Sequence, residues 1–158
     1  MNDMQSCWQP DALYHEWTLP DGHTAHVKVM TKVEKDIEID ELDHARFKQQ
    51  MWLNQPDEFG ISLCANIVHS IDGYIVREMH RRARNSMYQL VTIHDCFGAF
   101  PNHMNKVRKH YIDILAEIAE SNLLQDILRE ITGDDELIHR KMSYDLADKI
   151  RECEYALS

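Results

Sequence analysis

Apolar and polar residues alternate from His26 to Val33, where Val27, Val29 and Thr31 are interleaved with Lys28 and Lys32. A period of two is the mark of a half-buried strand. Just upstream, Leu13-Tyr14-His15-Glu16-Trp17-Thr18 is rich in strand formers. Pro20-Asp21-Gly22 between them reads as a turn, with Pro fixing φ and Gly supplying a positive one. The pattern predicts a β hairpin over 13–33. Residues 35–57 are charged and lack a clean period, and another strand from Arg46 to Trp52 is the most they support. Over 61–85 the period becomes helical, with Val68, Asp72, Ile75, Val76, Met79 and Ala83 on one side. The apolar run from Tyr88 to His94 predicts a buried strand around Val91 and Ile93, the first half of a hairpin over 88–100. Pro101-Asn102 predicts a new helix with Asn102 as its N-cap, running to about Ala119. Further helices are expected over 123–131 and 144–151, the last capped by Ser143. This order predicts an α+β fold, a small antiparallel sheet with a hairpin packed by helices.

Composition narrows the class. The length of 158 residues suits one domain with a real core, and the five Gly and four Pro agree with a fairly helical globule. No run of about 18 apolar residues exists to span a membrane. Met1-Asn2-Asp3-Met4 lacks the basic-then-apolar pattern of a secretory signal. Cys7, Cys64, Cys96 and Cys153 are widely spaced, which fits a reduced, cytoplasmic setting and no zinc motif. The net charge of −10 runs against nucleic-acid binding by the chain as a whole, because phosphate repels an acidic surface. Any such binding needs a local site or a basic partner.

Two constellations carry candidate chemistry. In Val91-Thr92-Ile93-His94-Asp95-Cys96-Phe97-Gly98 a strand runs directly into His-Asp. A carboxylate at a hairpin tip suits a hard cation such as Mg²⁺, although a two-ion centre needs at least one more. Read alone, Asp95 is more often an ordinary turn aspartate. In Asn66-Ile67-Val68-His69-Ser70-Ile71-Asp72-Gly73, Asp72 lies on the apolar side of the predicted helix with His69 a turn before it. A buried carboxylate there must be paired, so a structural His–Asp pair and a functional one are equally open. Arg77, Arg81 and Arg84 share another face, able to touch phosphates but more often simply solvated.

Taken together, these segments resemble the last part of the phage and mitochondrial single-subunit RNA polymerases. Asn66-Ile67-Val68-His69-Ser70-Ile71-Asp72 is similar to the family's Asn-x-x-His-Ser-x-Asp helix. Ile93-His94-Asp95-Cys96-Phe97-Gly98 is similar to its motif C, His-Asp followed by Ser or Cys and an aromatic. Trp17-Thr18-Leu19-Pro20-Asp21-Gly22 resembles its Trp-x-Thr-Pro-x-Gly hairpin, and Glu152-Cys153-Glu154-Tyr155-Ala156-Leu157-Ser158 its short aromatic tail. Each motif is modest alone, and their order over nearly the whole chain makes the combination specific.

The resemblance implies a palm-type fold and a role for each matching residue. Asp95 would be a ligand of catalytic Mg²⁺, and His94 would help place the growing RNA end. His69 would contact the template–product duplex; Arg77 and Arg81, read from their shared helix face and not from the resemblance, are further candidate nucleic-acid contacts. Asn66 and Asp72 would support that helix, and Tyr155 and Ser158 would belong to the closing tail. Departures are clear as well. The family's first metal aspartate and the Arg, Lys and Tyr of its fingers have no equivalent in these 158 residues. Ala65 stands where a Pro is usual, and Pro56-Asp57-Glu58 replaces a Lys-Gln stretch. The expectation is therefore one subunit of a split phage polymerase in the infected bacterial cytoplasm. It would use DNA template, RNA product and nucleoside triphosphates with a partner chain that carries the fingers and the first aspartate. The alternative is a remnant palm domain serving as a regulatory or structural binding module.

Overall fold

A computed structural model describes residues 2–40, 44–60, 62–94 and 96–153. The chain is a mixed α+β protein with three separate two-stranded antiparallel sheets and five α-helices among these residues. Helix α1 (Asn2–Ser6) leads into β1 (Tyr14–Thr18) and β2 (Thr24–Lys28), paired with Trp17 opposite Ala25. Gly22 takes φ +80° in their turn, the left-handed conformation that glycine adopts without steric cost.

The strand predicted over 26–33 is broken at Val29. Its amide donates to the Leu13 carbonyl at 2.9 Å and its side chain is buried. A new strand, β3 (Met30–Ile39), starts beyond it and pairs along its whole length with β4 (Ala45–Asn54). The strand expected around 46–52 is thus present, within a ribbon longer than the charged sequence suggested.

Helix α2 (Leu63–Asn85) spans both halves of the core. Its first turns put Leu63 and Ile67 against Trp17 and Leu19 and against Leu123, Ile127 and Leu128 of α4 (Leu123–Thr132). Its later turns put Ile75, Met79 and Ala83 against Tyr88 and against Val107 and Ile114 of α3 (Met104–Glu120). The buried face is offset from the predicted one. Val68 and Asp72 are exposed, while Ile67 and Glu78 are buried. With 3.6 residues per turn, a stripe anchored on Ile67 and Ile71 turns Val68 and Asp72 toward its edge.

Strand β5 (Val91–Ile93) pairs with β6 (Cys96–Gly98) as a hairpin. It is shorter than predicted and not buried, with Val91 and Ile93 exposed, because no element covers its outer face among the described residues. Tyr88 alone of that apolar run lies in the core. Pro101–His103 forms a 3-10 turn, so α3 begins after His103 and Asn102 is not its cap. Helix α5 (Leu146–Glu152) begins after Asp145, two residues later than predicted. Ser143 hydrogen-bonds the Asp145 carboxylate instead of capping the helix. No helix among the described residues is long and apolar enough to cross a membrane.

Candidate active site

The β5–β6 hairpin pairs Ile93 with Cys96, so two residues of sequence, His94 and Asp95, separate the paired positions. His94 takes φ +52° and is exposed. A positive φ is uncommon outside glycine, and His is among the types that tolerate it best. Such backbone strain concentrates at functional positions and persists only where neighbours enforce it. Asp95 lies outside the described residues. On either side of it the hairpin is fixed by its ladder and by α2. The His80 imidazole on α2 lies 3.3 Å from the Thr92 hydroxyl, and Phe97 packs on Tyr111 of α3 with ring centroids 5.8 Å apart.

Asp72 comes to this hairpin from α2. Together with Ile75, Val76, Phe97 and Tyr111 it lines a cleft of about 270 Å³. Its carboxylate is exposed, so it is not the buried partner of His69 that the helical pattern suggested. His69 is also exposed, one turn earlier on the same side of the helix. Asn66 is half-buried in the first turns of α2, its amide donating to the Ser62 carbonyl at 3.0 Å.

Of the three arginines named from the sequence, Arg77 and Arg81 are engaged in ion pairs and Arg84 is exposed. Arg77 donates through Nε to the Asp21 carboxylate at 2.5 Å, which ties α2 to the β1–β2 turn. That guanidinium holds the Asp21 carboxyl below the ordinary carboxylate range. Arg81 donates two hydrogen bonds to Glu78, at 2.6 and 2.5 Å. Arg82 reaches Glu78 at 2.8 Å and Glu117 of α3 at 2.5 Å. The Arg81 hydrogen bonds keep the nearly buried Glu78 ionised, outweighing burial, and Arg82 adds to them. A phosphate meeting Arg77 or Arg81 has to displace or share a carboxylate. Sequence reasoning missed Glu78, whose spacing of three and four residues from Arg81 and Arg82 is the signal that could have found it. It also missed Ser70 as the acceptor of the Trp17 indole N–H, at 2.9 Å. The Ser70 hydroxyl in turn donates a hydrogen bond to the Ile67 carbonyl at 2.7 Å.

Tyr155 and Ser158 lie outside the described residues. A separate group, Glu38, Asp40 and His44, gathers metal-binding side chains at the end of the β3–β4 ribbon. All three are exposed, and the His44 Nδ1 lies 3.0 Å from Glu38 and 3.3 Å from Asp40, so the cluster is already satisfied by its own ion pairs when His44 is protonated.

Chemically, the cleft offers a carboxylate on α2 beside a hairpin that carries His-Asp. Oxygen donors of this kind fit a hard divalent cation. Only Asp72 contributes a carboxylate to the cleft among the described residues, so a two-ion centre would be incomplete with this chain alone. No family model matches the chain, and no curated protein matches it.

Proposed function

We propose that this chain is the carboxy-terminal palm segment of a phage-type DNA-directed RNA polymerase, supplying one metal-binding aspartate to an active site completed by a partner chain. One observation carries the reading. The segments that resemble that family are separated in sequence yet meet around α2. The Trp17 hairpin bonds to Ser70 inside the Asn66–Asp72 segment, and Asp72 shares its cleft with Phe97 of the His-Asp hairpin.

In this proposal the RNA 3′-hydroxyl attacks the α-phosphate of a nucleoside triphosphate and pyrophosphate leaves. Bound Mg²⁺ would supply charge stabilisation for the attacking and leaving oxygens. Asp95 would hold the ion as an oxygen ligand. His94 orients the RNA end, its strained backbone aiming the imidazole from the hairpin tip. His69 hydrogen-bonds the template–product duplex from the exposed side of α2, and Asp72 supports that surface. Arg77 and Arg81 reach phosphate only by giving up part of their carboxylate contacts. Tyr155 and Ser158 belong to the tail that closes the site. A chain of net charge −10 leaves most of the basic nucleic-acid channel to the partner, which brings the fingers and the first metal aspartate. The setting is the cytoplasm of a phage-infected bacterium.

The test is reconstitution with the protein that co-purifies with this chain from its native source. Template-dependent, Mg²⁺-dependent RNA synthesis is expected from the mixture and not from either chain. Asp95→Asn should lower the rate by at least about a hundredfold, the scale on which losing a principal charge-stabilising group acts. Synthesis unchanged by Asp95→Asn refutes the assignment. A partner that supports no synthesis leaves the remnant binding module as the better description.

A further inference from the structure

The β3–β4 ribbon has two unlike faces. Opposite residues in an antiparallel pair share a face. The cross-strand pairs Thr31–Leu53, Val33–Met51, Lys35–Gln49, Ile37–Phe47 and Ile39–Ala45 therefore form one side. The other side carries Lys32, Glu34, Asp36, Glu38, Arg46 and Lys48, laced by Arg46–Glu38 at 3.1 Å and Lys48–Glu34 at 3.7 Å, with the exposed Met30 and Trp52 confined to the rungs far from the turn. Apart from Thr31, the first side is apolar except at its middle rung, where Lys35 is its one charged residue. Among the described residues neither core cluster includes any residue of the ribbon, and Phe47 is 51% exposed. A two-stranded hairpin with an uncovered apolar face is marginal in water, so a cover is needed.

We propose that this face docks a partner protein whose contact surface is apolar and presents a carboxylate to Lys35. A second copy of this chain fits poorly. In a face-to-face pair centred on the ribbon, two-fold symmetry brings the middle rungs together. Depending on the axis, Lys35 would then meet the other Lys35 or Gln49, so its charge would be buried without a carboxylate, which is costly. Size adds a second condition. Ten residues rising about 3.4 Å each, on strands about 4.8 Å apart, give a footprint of roughly 340 Å². A stable interface takes about 800 Å² per partner. The ribbon is thus one part of a larger contact with a protein that also touches the chain elsewhere. That this protein is the chain that completes the polymerase rests on the proposed function; the docking surface does not.

The experiment uses the complex purified from the native source through a tagged copy of the full chain. Carbodiimide, which couples an amine only to a carboxylate in contact with it, is expected to join Lys35 to an Asp or Glu flanked by apolar residues in a different protein. Lys35→Glu and Ile37→Asp should each lower recovery of that protein about tenfold. Trp52→Ala, on the charged side, should leave recovery unchanged. Unaltered far-ultraviolet circular dichroism and elution of the free variants show that the body of the chain is folded. Coupling of Lys35 to a second copy, no coupling at Lys35, or recovery insensitive to both variants overturns the proposal. RNA synthesis is scored separately, so a docked partner without polymerase activity refutes the polymerase reading and leaves the docking surface standing.

Discussion

Gly60 shows how much one missing side chain decides. A Cβ built there would lie 1.8 Å from the Trp8 ring. The ring has little room to yield. Its indole N–H donates to the Asp57 carbonyl at 2.7 Å, its face packs on His15 with centroids 4.5 Å apart, and Gln5 holds the Gly60 carbonyl at 2.7 Å. Gly60→Ala is therefore expected to destabilise the chain by about 1–3 kcal/mol, the usual cost of overpacking. A urea midpoint equal to that of the unmodified chain would show that Trp8 moves freely. Nothing in the sequence marks this glycine, because the contact joins residues about fifty positions apart and no local pattern carries it. His94 is the opposite case. Its place beside Asp95 is plain in the sequence, and only the folded backbone reveals its positive φ.

Helix α2 was readable as an element, since apolar residues recur at helical spacing over its length and the structure runs it from Leu63 to Asn85. Its orientation was not. Periodicity identifies a stripe, but the partners decide where the stripe is centred, and here they are Trp17 on one side and α3 on the other. The contact with Trp17 is the joint between the first hairpin and the helix. Its indole is fully buried, and the Ser70 hydroxyl satisfies its N–H. Ser70→Ala should cost about 1–3 kcal/mol, the penalty for leaving a buried donor unpaired. Thermal unfolding measures it, and a loss below about 0.5 kcal/mol would mean that water replaces the hydroxyl. Both N-caps assigned from sequence missed for one reason. Asn102 and Ser143 are good capping residues, yet a 3-10 turn and the Asp145 carboxylate displaced the helix starts.

Charge acts on the whole molecule, and the shifted histidines and carboxylates act in one direction. Burial lowers the affinity of His15 and His110 for protons, with Arg82 adding to the effect at His110. Arginine contacts hold Glu78 and Asp21 below their ordinary ranges. In each case the unfolded chain binds the proton more readily than the native one, so acid favours unfolding. Stability should be full above about pH 6.5, fall first as the two histidines of the unfolded chain take protons, and fall again below about pH 4.5 as its carboxylates do. Denaturant titrations at pH 7.5, 5.5 and 3.5 should report both steps. Glu78→Gln should be less stable at neutral pH and should lose part of the second step. A second step of unchanged size would remove Glu78 from this account.

The sequence by itself determined the α+β class, the first hairpin with its Gly22 turn, the extent of α2 to within two residues, and a second hairpin around His94. All of these depend on neighbours within a few positions, where periodicity and turn chemistry act. Only the tertiary structure decided that Asp72 faces an open cleft beside Phe97, that Arg77 and Arg81 are paired to carboxylates, and that β3–β4 stands as a separate ribbon with an uncovered apolar face. Each of these turns on which distant surfaces meet. Burial and charge pairing are set by the packing of whole elements, and one chain's local pattern does not contain them.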